Sequence, residues 1–343
     1  MPPSPSTPGT VRIGGVPEHF NLPFALAAEA GLPAARGSPE VEWTSVPGGS
    51  GAMMKGLLAG DYDAALLLTE AAVAAALSSP HAIRIAGGWV DTPLTWGIHV
   101  HPDSPHALPA AAAIGSGTDP PPPPRGLPLD QSTRRLTWGI SRPHSGSHTL
   151  ALLHTRGHPH PPSFVTCGNM DGLLVGIADQ TIDVFLWERA TTAPAVEAGR
   201  VALAGTVVPG WPAFCVAVCA NASVEVVRAV QAAVATAAVA SGNMLAAAEG
   251  DAARTDGGGG GEGHPSPSRV AADYGPRAAE AVRAGMISWR GQGTGDGIAT
   301  VSVAAVSRAV DALVGGGVLP EGTEGGRGAA LRVIVDGLVS LVE

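Results

Sequence analysis

The chain has 343 residues, 45% of them hydrophobic, enough for two domains of ordinary size that each bury a core. A formal net charge of −9 excludes nucleic acid and an anionic membrane surface as partners, since neither attracts an acidic protein. The 47 glycines and 31 prolines exceed what two compact domains use, so part of them belongs to low-complexity inserts.

Residues 1–10, MPPSPSTPGT, read as a disordered N-terminus with neither the basic nor the apolar region of a secretory signal. No run approaches the roughly 20 apolar residues that cross a bilayer. The three cysteines, Cys167, Cys215 and Cys219, are odd in number and lack metal-site spacing, which fits a reducing compartment. The expectation is a soluble, cytoplasmic protein without membrane insertion. Lys55 is the only lysine among 20 basic residues, so a Schiff-base mechanism has one candidate.

A first strand, VRIGGV at 11–16, leads through Pro17–Phe20 into a helix, NLPFALAAEAGL, that Gly31 stops. A second strand covers 41–46. Residues 46–70 then form a Gly-rich turn, a short helix capped at Ser50, a break at Gly60-Asp61 and a buried strand closing on Thr69-Glu70. Gly48, Gly49 and Gly51 let free N–H groups at the helix start face a ligand, and a polar pair at the strand's carboxyl end lies where open α/β sheets bind. A helix from Glu70, a strand from Ile83 to Gly87 and a segment from Trp89 to His99 complete a doubly wound α/β lobe.

From His101 to Arg135 five consecutive prolines mark an exposed insert. The pattern resumes with a strand at 136–141, the turn Arg142–Ser147, a helix at 149–154 and a strand at 163–167. Residues 167–188 then repeat the earlier unit. Gly56 to Asp63 and Gly176 to Asp183 are each seven residues apart, and each Asp opens an apolar strand that closes on a glutamate, Glu70 or Glu188. One unit used twice predicts two similar lobes. A strand at 201–207 and an apolar strand at 211–219 carry the chain back to the first lobe. A helix capped by Ser223 runs to Ala240, further helices lie near 269–285 and 300–313, and the stretch DGGGGGEGHPSPS from Asp256 is a disordered insert. The final segment, 327–343, is apolar at helical spacing and docks on the first lobe. The expected division is lobe 1 at 11–98, crossover and Pro-rich insert at 99–135, lobe 2 at 136–211, and a return with C-terminal helices at 212–343 that contains a Gly-rich insert at 254–268.

Taken in order, IGGVPEHF, PGGSGAMMKGLLAGDYDAALLLTEA, GGWVDTPLTWGI, GISRPHSGSHTLALL, DVFLWE and WPAF resemble the type II periplasmic-binding-protein fold. The branch they are most similar to contains sulfonate-binding and thiamine-pyrimidine-binding proteins, in particular the stand-alone members of fungi and other eukaryotes. That resemblance implies two lobes joined by two crossover strands, near Trp96–His101 and Trp211–Val218, with hinge closure around a small ligand in a cleft. It implies a cleft lined by Glu18, His19, Ser50, Gly51, Thr69, Glu70, Asp91 and Trp96 from the first lobe. Ser141, Ser145, Gly146, Ser147, Asn169, Trp187 and Glu188 line it from the second, with Trp211 near a hinge. Backbone donors, flat tryptophan walls and glutamate acceptors suit a small, flat, hydrogen-bonding ligand.

Plainer readings stand beside these. Ser50 and Ser147 are also natural helix caps, Glu70 a natural first-turn acid, and Trp187 and Trp211 natural core residues. Asp63 and Asp183 open strands and are left out of the site. The pairs His154/His158 and His99/His101 resemble metal ligands, but Gly157 and Pro159 break the helix that would align the first, so neither metal nor cofactor is expected. The expected function is binding of a nitrogen heterocycle of the thiamine-pyrimidine type. A sulfonate or other small anion is the alternative ligand, and a pyrimidine-synthase-like enzyme the alternative activity. Such enzymes carry a CCCFC segment and an active-site lysine that have no counterpart here. The sequence names no protein partner.

Overall fold

The computed structural model describes residues 9–29, 39–79, 81–109, 135–253 and 303–315. These form two units. One runs to Thr92 and resumes at Trp211; the other contains Pro93–Gly210. The division falls once more inside a C-terminal helix, Val303–Gly315.

The first unit has strands β1 (Thr10–Gly15), β2 (Glu40–Ser45), β3 (Ala64–Leu68) and β4 (Ile83–Val90), with helices α1 (Leu22–Glu29), α2 (Gly49–Ala59) and α3 (Thr69–Ser78) between them. The second has β5 (Trp96–Val100), β6 (Thr137–Ile140), β7 (Ser163–Thr166), β8 (Val184–Glu188) and β9 (Ala202–Val207), with α4 (Gly146–His154), α5 (Met170–Ala178) and α6 (Arg189–Glu197). Strand β10 (Phe214–Cys219) returns to the first unit, followed by α7 (Val224–Ala253) and α8 (Val303–Gly315).

Sheet order is β2-β1-β3-β10-β4 in the first unit and β7-β6-β8-β5-β9 in the second. The two orders are the same once β1 is matched to β6, β3 to β8, β4 to β9 and β10 to β5. Each sheet is therefore mixed: a parallel core of consecutive strands takes in one strand from the other half of the chain, antiparallel to both neighbours. The division between the units falls at Thr92–Pro93 and Gly210–Trp211, and Trp96–Val100 is a strand in the sheet of the second unit.

The repeat detected in the sequence is a packing device. In the first unit, Asp63 accepts the main-chain N–H of Arg12 at 2.9 Å and returns its own N–H to the Arg12 carbonyl at 2.9 Å. In the second, Asp183 does the same with Thr137, both bonds 2.8 Å. Each Asp thereby stitches the third strand of its unit to the start of the first. Beside it a plug residue, Tyr62 or Ile182, fills the space that two glycines leave open, Gly14 and Gly56 or Gly139 and Gly176. Tyr62 is the larger plug and its hydroxyl donates to the Met53 carbonyl at 2.7 Å. The strand between, AALLL in β3, is buried from Ala64 to Leu67, as an apolar run between helical layers requires.

Two local expectations are corrected. Helix α2 begins at Gly49 with Gly48 as its cap residue, and no side chain caps it, so Ser50 sits within the first turn instead of starting the helix. Strand β3 ends at Leu68, and Thr69 and Glu70 are the first residues of α3. The break at Gly60 is as expected: φ of 79° places it in the left-handed region where its N–H closes the helix on Gly56 and Leu57. Ser223 caps α7, donated to by Val226 N–H at 3.3 Å, though the helix continues to Ala253. The Pro-rich tract at 120–124, the Gly-rich insert, the helix expected near 269–285 and the segment 327–343 lie outside the described residues. No helix among the described residues is long and apolar enough to cross a membrane.

Candidate functional site

In each unit the parallel strands end at one edge, and the loops leaving that edge carry the residues singled out in the sequence. From the first unit come Glu18 and His19 after β1, Ser50 and Gly51 after β2, Thr69 and Glu70 after β3, and Asp91 after β4, with Trp211 just ahead of β10. From the second come Ser141, Ser145, Gly146 and Ser147 after β6, Asn169 after β7 and Glu188 at the end of β8, with Trp96 opening β5. This placement follows from topology alone, because a strand-loop-helix connection always leaves from the carboxyl end.

Their engagement differs from what their chemistry promised. Glu188 is the N-cap of α6: its two oxygens accept Ala190 N–H at 2.8 Å, Thr191 N–H at 2.7 Å and the Thr191 hydroxyl at 2.7 Å. Glu70 is 2% exposed and accepts the Trp211 indole N–H at 2.9 Å. Burial pushes its carboxyl pKa up, and its own main-chain N–H and the indole offset part of that rise. The two glutamates are also not equivalent. Glu188 pairs with Trp96 as Leu68 pairs with Phe214, so Leu68, not Glu70, holds the corresponding place. The apparent repeat of closing glutamates is a coincidence two residues out of register.

Asn169 is an N-cap too, accepting Gly172 N–H at 3.0 Å, and is exposed. Trp187 packs against the apolar cluster of Leu173, Ile177 and Phe185 and belongs to the core face of β8. His19 is buried with its ring centroid 3.9 Å from that of Phe20, while Ser50, Gly51, Glu18 and Asp91 are exposed or half-buried. The cap of α4 is Ser145, whose hydroxyl takes the His148 N–H. Ser147 instead turns inward, accepting Ser141 N–H at 3.1 Å and meeting the Ser145 hydroxyl at 3.0 Å. Three buried hydroxyls thus converge at the start of α4, where the N–H groups of Gly146 and Ser147 have no acceptor within the helix.

Several donors at these edges are unmatched. Among the described residues the Trp96 indole nitrogen is shut off from solvent without a hydrogen-bond partner, and the buried Thr69 hydroxyl has only the Cys215 thiol to meet. Arg142, in the turn ahead of α4, is half-buried, and its guanidinium makes no hydrogen bond or ion pair among the described residues; burial draws its pKa down. Sequence reasoning passed over Arg142. The signal was present, since it is the one basic side chain of permanent charge within the Ser/Gly turn ISRPHSGS. Next to it, His144 takes a positive φ of 62°, a strained conformation for a residue other than glycine, and donates its N–H to His148 Nδ1 at 3.0 Å.

The histidine pairs weighed as ligands stay apart from this edge. His99 is fully buried in mid-sheet, stacked on Phe185 at 4.7 Å, and burial lowers its pKa to about 3. No group of three or more His, Cys, Asp or Glu among the described residues is arranged to hold a metal.

A structure from Candida albicans, described as exhibiting the generic periplasmic binding protein fold, aligns over 96% of this chain and 95% of its own, with a TM-score of 0.70 and 20% identity. The fold is that of the periplasmic binding proteins. The alkanesulfonate-binding protein of Xanthomonas axonopodis, bound to MOPS, aligns over 92% of this chain and 96% of its own at TM-score 0.62 and 14% identity. The nitrate-binding protein of Synechocystis does so over 97% and 89% at 0.61 and 14%. At these identities the likeness to periplasmic binding proteins is one of fold. No family model and no curated protein sequence matches the chain.

Proposed function

We propose that this protein binds a small molecule bearing an oxyanion, with the anion held at the start of α4 in the second unit. The observation that carries this reading is a mismatch of partners. In the second unit Glu188 is already supplied with protein donors, whereas the Arg142 guanidinium and the Trp96 indole find no acceptor among the described residues. A ligand rich in acceptors satisfies what the second unit leaves open; a cationic or amino ligand there would compete with main-chain N–H groups for Glu188. A guanidinium beside a helix N-terminus and a set of hydroxyls is the arrangement that favours an anion.

The same argument ranks the nitrogen heterocycle of the thiamine-pyrimidine type second, because it calls for free glutamate acceptors and Glu70 and Glu188 are each engaged within their own unit. The sulfonate and nitrate binders of like fold support the anion reading. Three free thiols favour the cytoplasm as its compartment. The test is a thermal-shift titration at constant ionic strength with alkanesulfonates and with aminopyrimidines. Alkanesulfonates are expected to raise the midpoint, and Arg142→Ala to weaken them about tenfold or more, the scale of a lost charged hydrogen bond. A rise with an aminopyrimidine and with no oxyanion overturns the assignment.

A further inference from the structure

The buried serine hydroxyls at the start of α4 have three protons between them, and the geometry decides where each one goes. Ser145 Oγ donates to the Arg142 carbonyl at 2.7 Å, which also takes the Ser145 main-chain N–H at 3.2 Å. A hydroxyl has one proton to give, so in the 3.0 Å contact between Ser145 and Ser147 the donor is Ser147. Ser145 Oγ accepts that proton together with the His148 N–H at 3.4 Å, and Ser147 Oγ accepts the Ser141 N–H at 3.1 Å. Both hydroxyls are thereby used up in holding the turn that carries Arg142.

Ser141 differs from them. Its main chain is tied at both groups, the N–H by Ser147 and the carbonyl by the Gly168 N–H at 3.1 Å, and the residue is 4% exposed. Among the described residues its hydroxyl meets only Ser147 Oγ, at 3.5 Å, well beyond the ~2.5–3.0 Å of an O–H···O bond. One proton is therefore uncommitted beside the N–H groups of Gly146 and Ser147 that the helix leaves open. The fold does not call for it. Ser141 lies four residues after Thr137, and the corresponding place four after Arg12 is Val16, whose carbonyl takes Asn21 Nδ2 at 3.0 Å. A buried hydroxyl without an acceptor costs free energy, and an acceptor brought by a ligand removes that cost.

We infer that Ser141 is the hydroxyl of this cluster that donates to the bound oxyanion, alongside the N–H groups of Gly146 and Ser147, whereas Ser145 and Ser147 give their protons to the turn. The contact with the anion rests on the oxyanion-binding reading; the order of protons among the serines does not.

The experiment compares variants of the full chain without and with ethanesulfonate. Without it, Ser141→Ala is expected to keep the thermal midpoint of wild type, because the hydroxyl it loses bonds to nothing in the protein. Ser147→Ala is expected to lower the midpoint by a few degrees or to prevent folding, because the Ser141 N–H is then buried without an acceptor. Equal losses in the two variants would place the Ser141 proton inside the cluster and overturn the inference, and so would a Ser147→Ala midpoint equal to that of wild type. With ethanesulfonate, calorimetric titration is expected to show binding weakened about tenfold in Ser141→Ala, the scale of a lost hydrogen bond to a charged group. Binding that falls in Arg142→Ala and is unchanged in Ser141→Ala overturns the inference and leaves the function standing. If wild type binds neither ethanesulfonate nor sulfate nor nitrate, the oxyanion reading itself falls, and the role of Ser141 falls with it.

Discussion

Glu188 shows how a residue type can be read correctly and its role missed. A glutamate closing an apolar strand is an acceptor at a carboxyl edge, but the helix that follows at once has N–H groups to satisfy, and the carboxylate turns to them. Glu188→Ala is accordingly expected to lower stability by about 1–2 kcal/mol in urea unfolding, the usual scale of a lost cap, with Glu188→Gln losing less. His99 gives a pH dependence of known sign. Its folded pKa of about 3 lies below the 6.5 of an exposed imidazole, so the unfolded chain binds more protons between these values. The stability it contributes is complete above pH ~6.5 and is lost as pH falls towards 3. Urea midpoints measured from pH 7 to pH 4 should fall steeply in wild type and less so in His99→Phe, which keeps the stacking on Phe185. Equal slopes in the two proteins would show that another group governs the acid side.

Among elements, the strand-opening Asp and the plug beside it make the internal repeat quantitative. A Cβ added at Gly56 would lie 2.4 Å from the Tyr62 hydroxyl, which is held by its bond to Met53; one added at Gly176 would lie 3.1 Å from Cγ1 and Cδ1 of Ile182. Alanine gains roughly 1 kcal/mol of helix propensity over glycine at either place. Overpacking costs about 1–3 kcal/mol when the neighbour cannot move and little when a few tenths of an ångström suffice. Gly176→Ala should therefore leave the unfolding midpoint almost unchanged, while Gly56→Ala should lower it clearly. The opposite order would mean that Tyr62 yields more readily than its hydrogen bond implies.

At the scale of the molecule, the plan is two equivalent sheets that each accept a strand from the other half of the chain. The chain stays paired as far as Leu108, whose N–H reaches the Leu203 carbonyl at 2.7 Å, and the Pro-rich tract follows. By composition that tract, with five consecutive prolines, offers few core-forming side chains. Replacing residues 112–132 with a short Gly/Ser linker is expected to leave the thermal midpoint where it was, whereas a deletion reaching back through Leu108 should lower it. Native mass spectrometry of the freshly purified protein checks the function directly, since a retained mass identifies what the unmatched donors hold.

The sequence by itself determined the α/β class, the two-lobe fold, the Asp63/Asp183 repeat and the loops that carry polar groups to the carboxyl edges. These follow from local periodicity, from glycines that only certain turns need, and from the fixed direction of a strand-loop-helix connection. It did not determine which polar groups remain free. Glu70 is taken by an indole 141 residues away, Glu188 by the helix next to it, and Arg142 and Trp96 find no partner among the described residues. Whether a buried donor or acceptor is satisfied depends on what distant segments bring within about 3 Å of it, and only the tertiary structure decides that.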